Sequence, residues 1–360
     1  MKTLSKSRFV SGVQCEKKLW YSYYRKDLQL PTDEQTQAIF DLGHQIGNLA
    51  QNRFPNGKDA TPEDFSDFSP SIEKTKLWIA EEVETIYEAT FTAKNALCML
   101  DILHRMNDEI WAIEVKNSTS VKDYHLTDAS LQYFVMKEAG YAPDKFFLMH
   151  INNQYIKNGE LTDEFFHLED ITDKVLSKQT WVEENLERLL VMLENKQEPN
   201  VSIGAHCSSP FACDFVHHCW KHIPENSVFE LYRGGNKAWE LYKQGILKIE
   251  DIEDDFPLTH FQHLQRKGLR NQEQYINKEA IKNMISSWQF PLYFFDFETV
   301  FPAIPVLDGT RPYQQIPFQY SLNISRNLKP PSYRKKSSAF AGPRKPNRNC
   351  ERRIKKKRFF

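Results

Sequence analysis

The fold is decided by residues Leu97–Lys116, which read LCMLDILHRMNDEIWAIEVK. Alternation of apolar and polar side chains predicts two short strands, Leu97–Met106 and Glu109–Lys116. The Asn-Asp pair between them suits the two-residue turn of a β-hairpin. In a hairpin closed by that turn, Asp101 lies directly opposite Glu114, with the two Cβ atoms about 5 Å apart.

The charged side chains of this hairpin are expected on one face of the sheet. Lys116 is two residues beyond Glu114 and therefore points to the same side. Two carboxylates that face each other repel, and a divalent metal ion relieves that repulsion. The hairpin thus indicates a metal site, with a solvated hairpin that carries scattered charges as the alternative.

Length and composition place the chain among folded proteins. Its 360 residues predict about two domains, and 40% hydrophobic residues suffice for a sizeable core. Aromatic residues make up 13% of the chain, which argues against general disorder. No apolar run is long enough to cross a bilayer, and the N-terminal residues lack the apolar segment of a signal peptide. We therefore expect a cytoplasmic protein without membrane association.

The net charge of −1 conceals a division of charge along the chain. Residues 325–360 contain 14 Lys and Arg but a single acid, Glu351, so the rest of the chain is acidic. The overall net charge is consequently uninformative about binding to nucleic acid.

The order of predicted elements indicates the fold class. A helix, the hairpin, another helix and a buried strand follow one another, which is typical of an α/β fold with a mixed sheet flanked by helices. The predicted helices cover residues 5–24, 33–54, 72–88, 127–139 and 171–195, and the further strands cover residues 145–151 and 291–299.

The spacing of three cysteines points to a metal. Cys207, Cys213 and Cys219 are separated by five residues each, a spacing that cannot place them on one face of a helix. Pro210 also prevents a regular helix there, so a loop folded around a thiolate-bound metal is expected. The candidates for a fourth ligand are Cys15, Cys98, His206, His217 and His218. Zinc and three inert buried thiols are the open alternatives.

Together, these residues resemble the iron–sulfur nucleases of the RecB-like branch of the PD-(D/E)XK superfamily, such as the CRISPR-associated RecB-like exonucleases and the nuclease domain of the AddB helicase–nuclease subunit. The resemblance covers residues 1–225 and implies a restriction-endonuclease-like core. It also implies a [4Fe–4S] cluster, with zinc as the alternative, on Cys15, Cys207, Cys213 and Cys219. The relatives place two residues between the first two late cysteines, whereas this chain has five.

The same resemblance implies a catalytic site. Asp101, Glu114 and the Val115 carbonyl would bind Mg²⁺ or Mn²⁺, which prefer oxygen ligands. Lys116 would orient the metal-bound water or stabilise charge on the phosphate. Gln132 would position Lys116 or a phosphate, with ordinary helix polarity as the alternative.

Two further residues enter this predicted site. His44 is the match to an upstream histidine near the metal, with helix packing as the alternative. Glu88 precedes the first strand and is a further candidate to reach the metal, with an ordinary charge at a helix end as the favoured alternative. The expected function is a DNA exonuclease that acts on single-stranded ends; the alternative is a catalytically silent nucleic-acid or partner-binding module built around an iron–sulfur or zinc site.

A second unit is predicted after a helical linker at residues 226–290, in which residues 231–254 weakly resemble a helix–hairpin–helix. Tyr293–Thr299 resembles the first motif of DnaQ-like exonucleases of the RNase H type, which implies that Asp296 and Glu298 are metal ligands. Only Asp308 and Glu351 follow as acids, so residues 291–324 are interpreted as a fragment of such a domain.

The combination of a RecB-like and a DnaQ-like unit resembles an uncharacterised bacterial family that is described as a domain of unknown function. In that family apolar structure continues, whereas here it gives way to basic sequence near Asn323. We interpret residues 325–360 as a disordered basic tail produced by a frameshift or truncation, with a genuine nucleic-acid-binding tail as the alternative.

Overall fold

The computed structural model describes residues 2–327 and the backbone of Ser337–Ala339. It has a mixed seven-stranded sheet and a smaller antiparallel sheet of three strands, and the predicted α/β class is confirmed. The strands are β1 (Leu4–Ser5), β2 (Lys58–Asp59), β3 (Thr85–Ala93), β4 (Ala96–Met106), β5 (Glu109–Lys116), β6 (Lys145–Ile151), β7 (Phe166–Asp170), β8 (Leu292–Val300), β9 (Ile316–Ser325) and β10 (Ser337–Ala339).

Helices cover the sheet and build the region that follows it. No helix of the described part of the chain is both long and apolar enough to span a membrane. The α-helices are α1 (Lys6–Gln14), α2 (Glu16–Tyr24), α3 (Glu34–Gln51), α4 (Ser69–Ala80), α5 (Asp123–Glu138), α6 (Thr172–Leu176), α7 (Gln179–Glu194), α8 (Val216–Cys219), α9 (Asn236–Lys243), α10 (His260–Asn271) and α11 (Lys278–Ser286).

The predicted hairpin lies at the centre of the large sheet, whose strand order is β2-β3-β4-β5-β6-β7, with β1 added to β4. Strand β4 runs antiparallel to β3 and β5, whereas β5 and β6 are parallel. Ile102 pairs with Ile113, so the next step along the strands brings Asp101 opposite Glu114. Both hairpin strands and the strand at residues 145–151 are confirmed.

The predicted N-terminal helix is divided. Cys15, expected inside it, is extended (φ −163°, ψ 117°) and separates α1 from α2. Its N–H still donates to the Ser11 carbonyl and its own carbonyl accepts from Leu19, so each helix closes normally at the break. A single extended residue hardly disturbs the apolar periodicity, which is why the sequence pattern does not reveal it.

The predicted third helix is wrong in its second half. Helix α4 ends at Ala80, and β3 begins at Thr85. Glu88 therefore lies within a strand and not at a helix end. Three consecutive residues of this strand, Thr85, Ile86 and Tyr87, are β-branched or aromatic, which favours a strand over a helix. The predicted helix at residues 171–195 is likewise divided, into α6 and α7.

Helix α5 is the element that the core encloses most completely. It begins four residues earlier than predicted and is followed, as expected, by Gly140 with a positive φ of 87°. Ten of its residues are buried, so it carries no clean apolar stripe. One face of α5 presents polar side chains to β5.

The chain divides into two compact units. The first comprises Met1–His150 and Phe166–Tyr275; the second comprises Ile151–Phe165 and the residues from Ile276 onward. In the first unit, residues 228–269 form a small apolar core of their own around Val228 and Leu241. The predicted domain limits at 225, 290 and 324 remain predictions, and most of the predicted basic tail lies outside the described residues.

Candidate functional site

Three neighbouring strands bring three carboxyl groups into line. The pairing of β3 with β4 on either side of Glu88 places it opposite Asp101, and the pairing of β4 with β5 places Asp101 opposite Glu114. Glu88 has a positive φ of 53°, a conformation that costs a non-glycine residue on the order of 1–3 kcal/mol. Backbone strain of this kind clusters at functional sites.

An ammonium group lies between two of these carboxylates. Nζ of Lys6, from the first turn of α1, donates to Glu114 Oε1 at 3.0 Å and to the Met99 carbonyl at 3.0 Å. The same nitrogen is 4.0 Å from Asp101 Oδ1. Asp101 is fixed from the other side, because its Oδ2 accepts the Val115 N–H at 2.6 Å.

Helix α5 completes the cluster. Lys116 Nζ donates to Glu114 Oε1 at 2.5 Å and to Asp128 Oδ2 at 2.7 Å. Gln132 Nε2 donates to Glu114 Oε2 at 2.8 Å and to Asp128 Oδ1 at 3.3 Å. The other amide atom, Gln132 Oε1, is buried without a hydrogen-bond partner among the described residues. A buried acceptor of this kind is suited to a donor that arrives with a ligand or with water.

The cluster has an excess of negative charge. Burial and the nearby Asp101 carboxylate raise the pKa of Glu88 to about 8. Burial and the Glu114 carboxylate raise the pKa of Asp101 to about 6. At pH 7 Glu88 largely keeps its proton, so the surplus is one negative charge; it becomes two when Glu88 also ionises, a change that a bound divalent cation favours. The charged groups are the four carboxylates of Glu88, Asp101, Glu114 and Asp128 and the two ammonium groups of Lys6 and Lys116.

Glu114 and Lys116 keep their charges. Burial alone opposes ionisation of Glu114, but the ammonium groups of Lys116 and Lys6 hold its pKa well below the usual value. Burial likewise opposes the charge on Lys116, but Asp128 and Glu114 hold its pKa above the usual value. Burial and the charge of Lys116 lower the pKa of His125 to about 4, so this buried imidazole is neutral at pH 7.

The carboxylate oxygens of this cluster are the kind of ligand that a hard divalent cation prefers. Their present spacing, however, is wider than such a cation needs. Carboxylate oxygens are the ligands that Mg²⁺ and Mn²⁺ prefer. Within the described residues, no three of these carboxylates have oxygens that all lie within 4.8 Å of one another. Lys6 Nζ is 3.0 Å from Glu114 Oε1 and 4.0 Å from Asp101 Oδ1, so a cation bound to both carboxylates would displace the Lys6 ammonium.

Some members of the cluster were predicted and others were not. The structure brings Asp101, Glu114, Lys116 and Gln132 together, but the amide nitrogen of Gln132 donates to Glu114 and Asp128, where a role in positioning Lys116 was expected. Lys6 and Asp128 were missed. Asp128 is one helical turn before Gln132, a signal that the sequence contains. His44 is exposed on α3, and in the part of the chain that the structure describes it forms no hydrogen bond or ion pair with these carboxylates.

The four cysteines predicted as ligands line a single cavity of ≈ 20 Å³. Lys17, Lys18 and His206 also line it. Cys98, a rival for the fourth ligand position, is buried in the sheet core with its Sγ 3.9 Å from the Gln132 carbonyl. The residues that provide the thiols are Cys15, Cys207, Cys213 and Cys219.

Local structure directs these thiols. Cys15 is the extended residue between α1 and α2, and Cys207 ends a 3-10 turn in which its Sγ accepts the Gly204 N–H at 3.5 Å. Gln14 Nε2 donates to the carbonyls of His206 and Phe211, both at 2.7 Å. These two bonds attach the cysteine-rich loop to the end of α1.

The four thiols are suitable ligands for a metal centre, and whether that centre is zinc or an iron–sulfur cluster remains a prediction. Burial raises the pKa of Cys213 to about 11, so this thiol requires a metal to ionise at neutral pH. Within the described chain, no three of the sulfurs lie within 4.8 Å of one another. Four thiolates on one zinc would be about 3.8 Å apart, so the present spacing is wider than zinc needs. The cavity holds little more than one water-sized group, so a four-iron cluster would have to widen it.

The second predicted site is more open. Asp296 and Glu298 are both exposed on β8, where they pair with Ser321 and Gln319 of β9. Asp308, one of the two acids further along, accepts hydrogen bonds from Lys157 Nζ and from the Gly159 N–H. Glu351 lies outside the described residues. The role of Asp296 and Glu298 as metal ligands therefore remains a prediction.

Comparisons with known proteins add little to this geometry. A family model described as "Domain of unknown function (DUF2779)" matches residues 293–357. A solved structure described as "Crystal structure of SSO0001" is similar, with 14% sequence identity and a TM-score of 0.31, over 62% of this chain and 88% of that chain. No curated protein matches the sequence. An activity must therefore be argued from the site itself.

Proposed function

We propose that this protein is a divalent-metal-dependent phosphodiester hydrolase, a nuclease that degrades single-stranded DNA from its ends. The observation that carries the proposal is the cluster of four carboxyl groups around Glu114, which outnumber the two ammonium groups of Lys6 and Lys116. Like charges on neighbouring strands destabilise a sheet, so an acidic cluster of this kind gains most from a bound cation. The choice of DNA and of its ends comes from the resemblance to RecB-like nucleases.

Each side chain has a role that follows from its protonation. A Mg²⁺ or Mn²⁺ ion on Asp101 and Glu114 would supply an activated water and neutralise charge on the phosphate. Lys116 stays protonated, so it stabilises charge that develops on the phosphate and does not act as a base. Glu88, with a pKa of about 8, is protonated at pH 7 and is the carboxyl group of the site that exchanges a proton nearest to neutral pH.

Gln132 and Asp128 are positioning residues. The amide nitrogen of Gln132 fixes one oxygen of Glu114, and Asp128 holds the Lys116 ammonium from the helix side. Both residues are on α5, which is packed into the core and is therefore a rigid support. Rigid support of this kind is what precise placement of charge requires.

The test is the degradation of an end-labelled single-stranded oligonucleotide by the purified protein with Mn²⁺. We expect Glu114→Gln and Lys116→Met each to lower the rate by about 10²-fold or more, the usual effect of losing a charge-stabilising group. Glu109 and Lys145 form an ion pair at the other end of β5, with Nζ 3.0 Å from Oε2. Glu109→Gln and Lys145→Met are therefore matched controls that should retain activity.

Two results would contradict the proposal. One is a folded wild-type protein that leaves the oligonucleotide intact at every Mn²⁺ concentration. The other is equal activity in the wild type and in both site variants, with circular dichroism spectra that are unchanged.

A catalytically silent binding module is the second candidate. The favouring observation is Lys6, because its ammonium already pairs with Glu114 and Asp101 and partly compensates the cluster. A silent module would bind labelled single-stranded DNA in a gel-shift experiment without shortening it. The same oligonucleotide thus distinguishes the two functions.

A further inference from the structure

We propose that His150, His167 and Glu169 form a zinc-binding site, separate from the carboxylate cluster and from the cysteine cavity. Their ligand atoms all lie within 4.8 Å of one another. Among the described residues, this is the one set of three His, Cys, Asp or Glu side chains that meets this spacing.

Two neighbouring strands create the arrangement. His150 is the penultimate residue of β6, and β7 is the next strand of the sheet. His167 and Glu169 are two residues apart on β7, so their side chains share a face. His150 Nε2 is 3.8 Å from Glu169 Oε2, and the two imidazole rings are 5.2 Å apart between centroids.

The donor set and its spacing suit zinc. Two imidazoles and a carboxylate are ligands that zinc commonly takes, and three protein ligands leave one position open for water or an anion. Ligand atoms at about 2.1 Å from a tetrahedral ion are about 3.4 Å apart, so the His150–Glu169 pair needs only a small movement. Softer metals that favour thiolates are disfavoured here, since the site offers no sulfur.

Lys174 orients the carboxylate. Its Nζ donates to Glu169 Oε1 at 2.8 Å, so Oε2 remains on the side of His150. A second partner that fixes the direction of a ligating group is typical of metal sites. His150 is buried and His167 is exposed, so an ion can reach the site from solvent.

The proposed zinc site lies on the face of the sheet that α5 covers. His150 pairs with Lys116 in the parallel register of β5 and β6. The zinc proposal does not depend on the nuclease proposal, because none of its three ligands belongs to the carboxylate cluster.

The test is equilibrium dialysis of the purified full chain against zinc chloride, with zinc per chain measured by elemental analysis and affinity by calorimetry. The variants His167→Ala and Glu169→Gln keep every cysteine and every carboxylate of the other sites, so zinc bound there is common to all samples. His260→Ala removes another exposed histidine, at the start of α10, and is the control.

We expect the wild type and the control to bind one more zinc per chain than either site variant, or to bind it at least about 10-fold more tightly. Equal zinc content and affinity in the wild type and His167→Ala would overturn the proposal. So would loss of zinc in His260→Ala to the same extent.

Discussion

Replacement of Glu88 by glutamine removes a charge from the cluster but keeps the shape of the side chain. In the folded protein, burial and the neighbouring Asp101 raise the pKa of Glu88 from 4.5 to about 8. Between these two pH values the folded chain holds a proton that the unfolded chain releases. The contribution of Glu88 to stability is therefore fully present below pH 4.5 and is lost as the pH rises towards 8.

The size of the effect follows from the same values. Each pH unit between the two pKa values corresponds to about 1.4 kcal/mol. At pH 7 the elevated pKa of Glu88 thus costs the metal-free protein up to about 3 kcal/mol of folding free energy. A neutral glutamine avoids this cost, so Glu88→Gln should be more stable than the wild type at pH 7 and equally stable near pH 4.5.

Urea unfolding in the presence of a chelator measures this difference at a series of pH values between about 4.5 and 8. Glu84→Gln changes an exposed glutamate just before β3 and serves as the control for the loss of one surface charge. Added Mn²⁺ should stabilise the wild type more than Glu88→Gln. If the wild type and Glu88→Gln lose stability in parallel across the range, the raised pKa of Glu88 is refuted.

Three further substitutions test other parts of the molecule. Cys15→Ser should lose bound iron or zinc in elemental analysis, whereas Cys98→Ser should retain it; equal metal content in both would contradict the cysteine site. Lys6→Met removes the ammonium that occupies the proposed cation position, so Mn²⁺ should bind several-fold more tightly by calorimetry, and weaker binding would contradict that position. Gly12→Ala should destabilise the fold by about 1–3 kcal/mol in urea unfolding, because the new Cβ would be 2.7 Å from leucine side chains of α2 and α7. Gly43→Ala is the control, since nothing lies within 4 Å of its Cβ position, and equal destabilisation of the two variants would contradict this packing.

The parts of the fold that local sequence determines were predictable. The hairpin is specified by its alternation and by its Asn-Asp turn, and that register alone brings Asp101 opposite Glu114. Lys116 follows from the two-residue period of the strand. Gln132 falls on the next helix, where the resemblance to known nucleases placed it.

The remainder depends on contacts between distant parts of the chain. Lys6 contacts Glu114 although the two residues are 108 positions apart in the sequence, and no local sequence pattern predicts that contact. The apolar residues Leu77, Trp78 and Ile86 predict a helix as far as Glu88, whereas packing makes Thr85–Ala93 a strand. Cys15 was identified as a ligand, but the extended backbone that directs its thiol depends on how α1 and α2 pack.

The histidine site shows a signal that was present and missed. His167 and Glu169 have the spacing that places two ligands on one face of a strand. Their partner, His150, is on a different strand, and only the order of strands in the sheet brings the three together. A pattern of two ligands is too common to predict a metal without that third residue.

The most direct measurement is the position of Mn²⁺ in crystals of the protein soaked in manganese chloride, read from an anomalous-difference map. We predict a peak between the carboxylates of Asp101 and Glu114, with Lys6 Nζ displaced from its place between them. An ordered site with Lys6 still in place and no peak there, in crystals of a protein that binds Mn²⁺ in solution, would contradict the proposed active site.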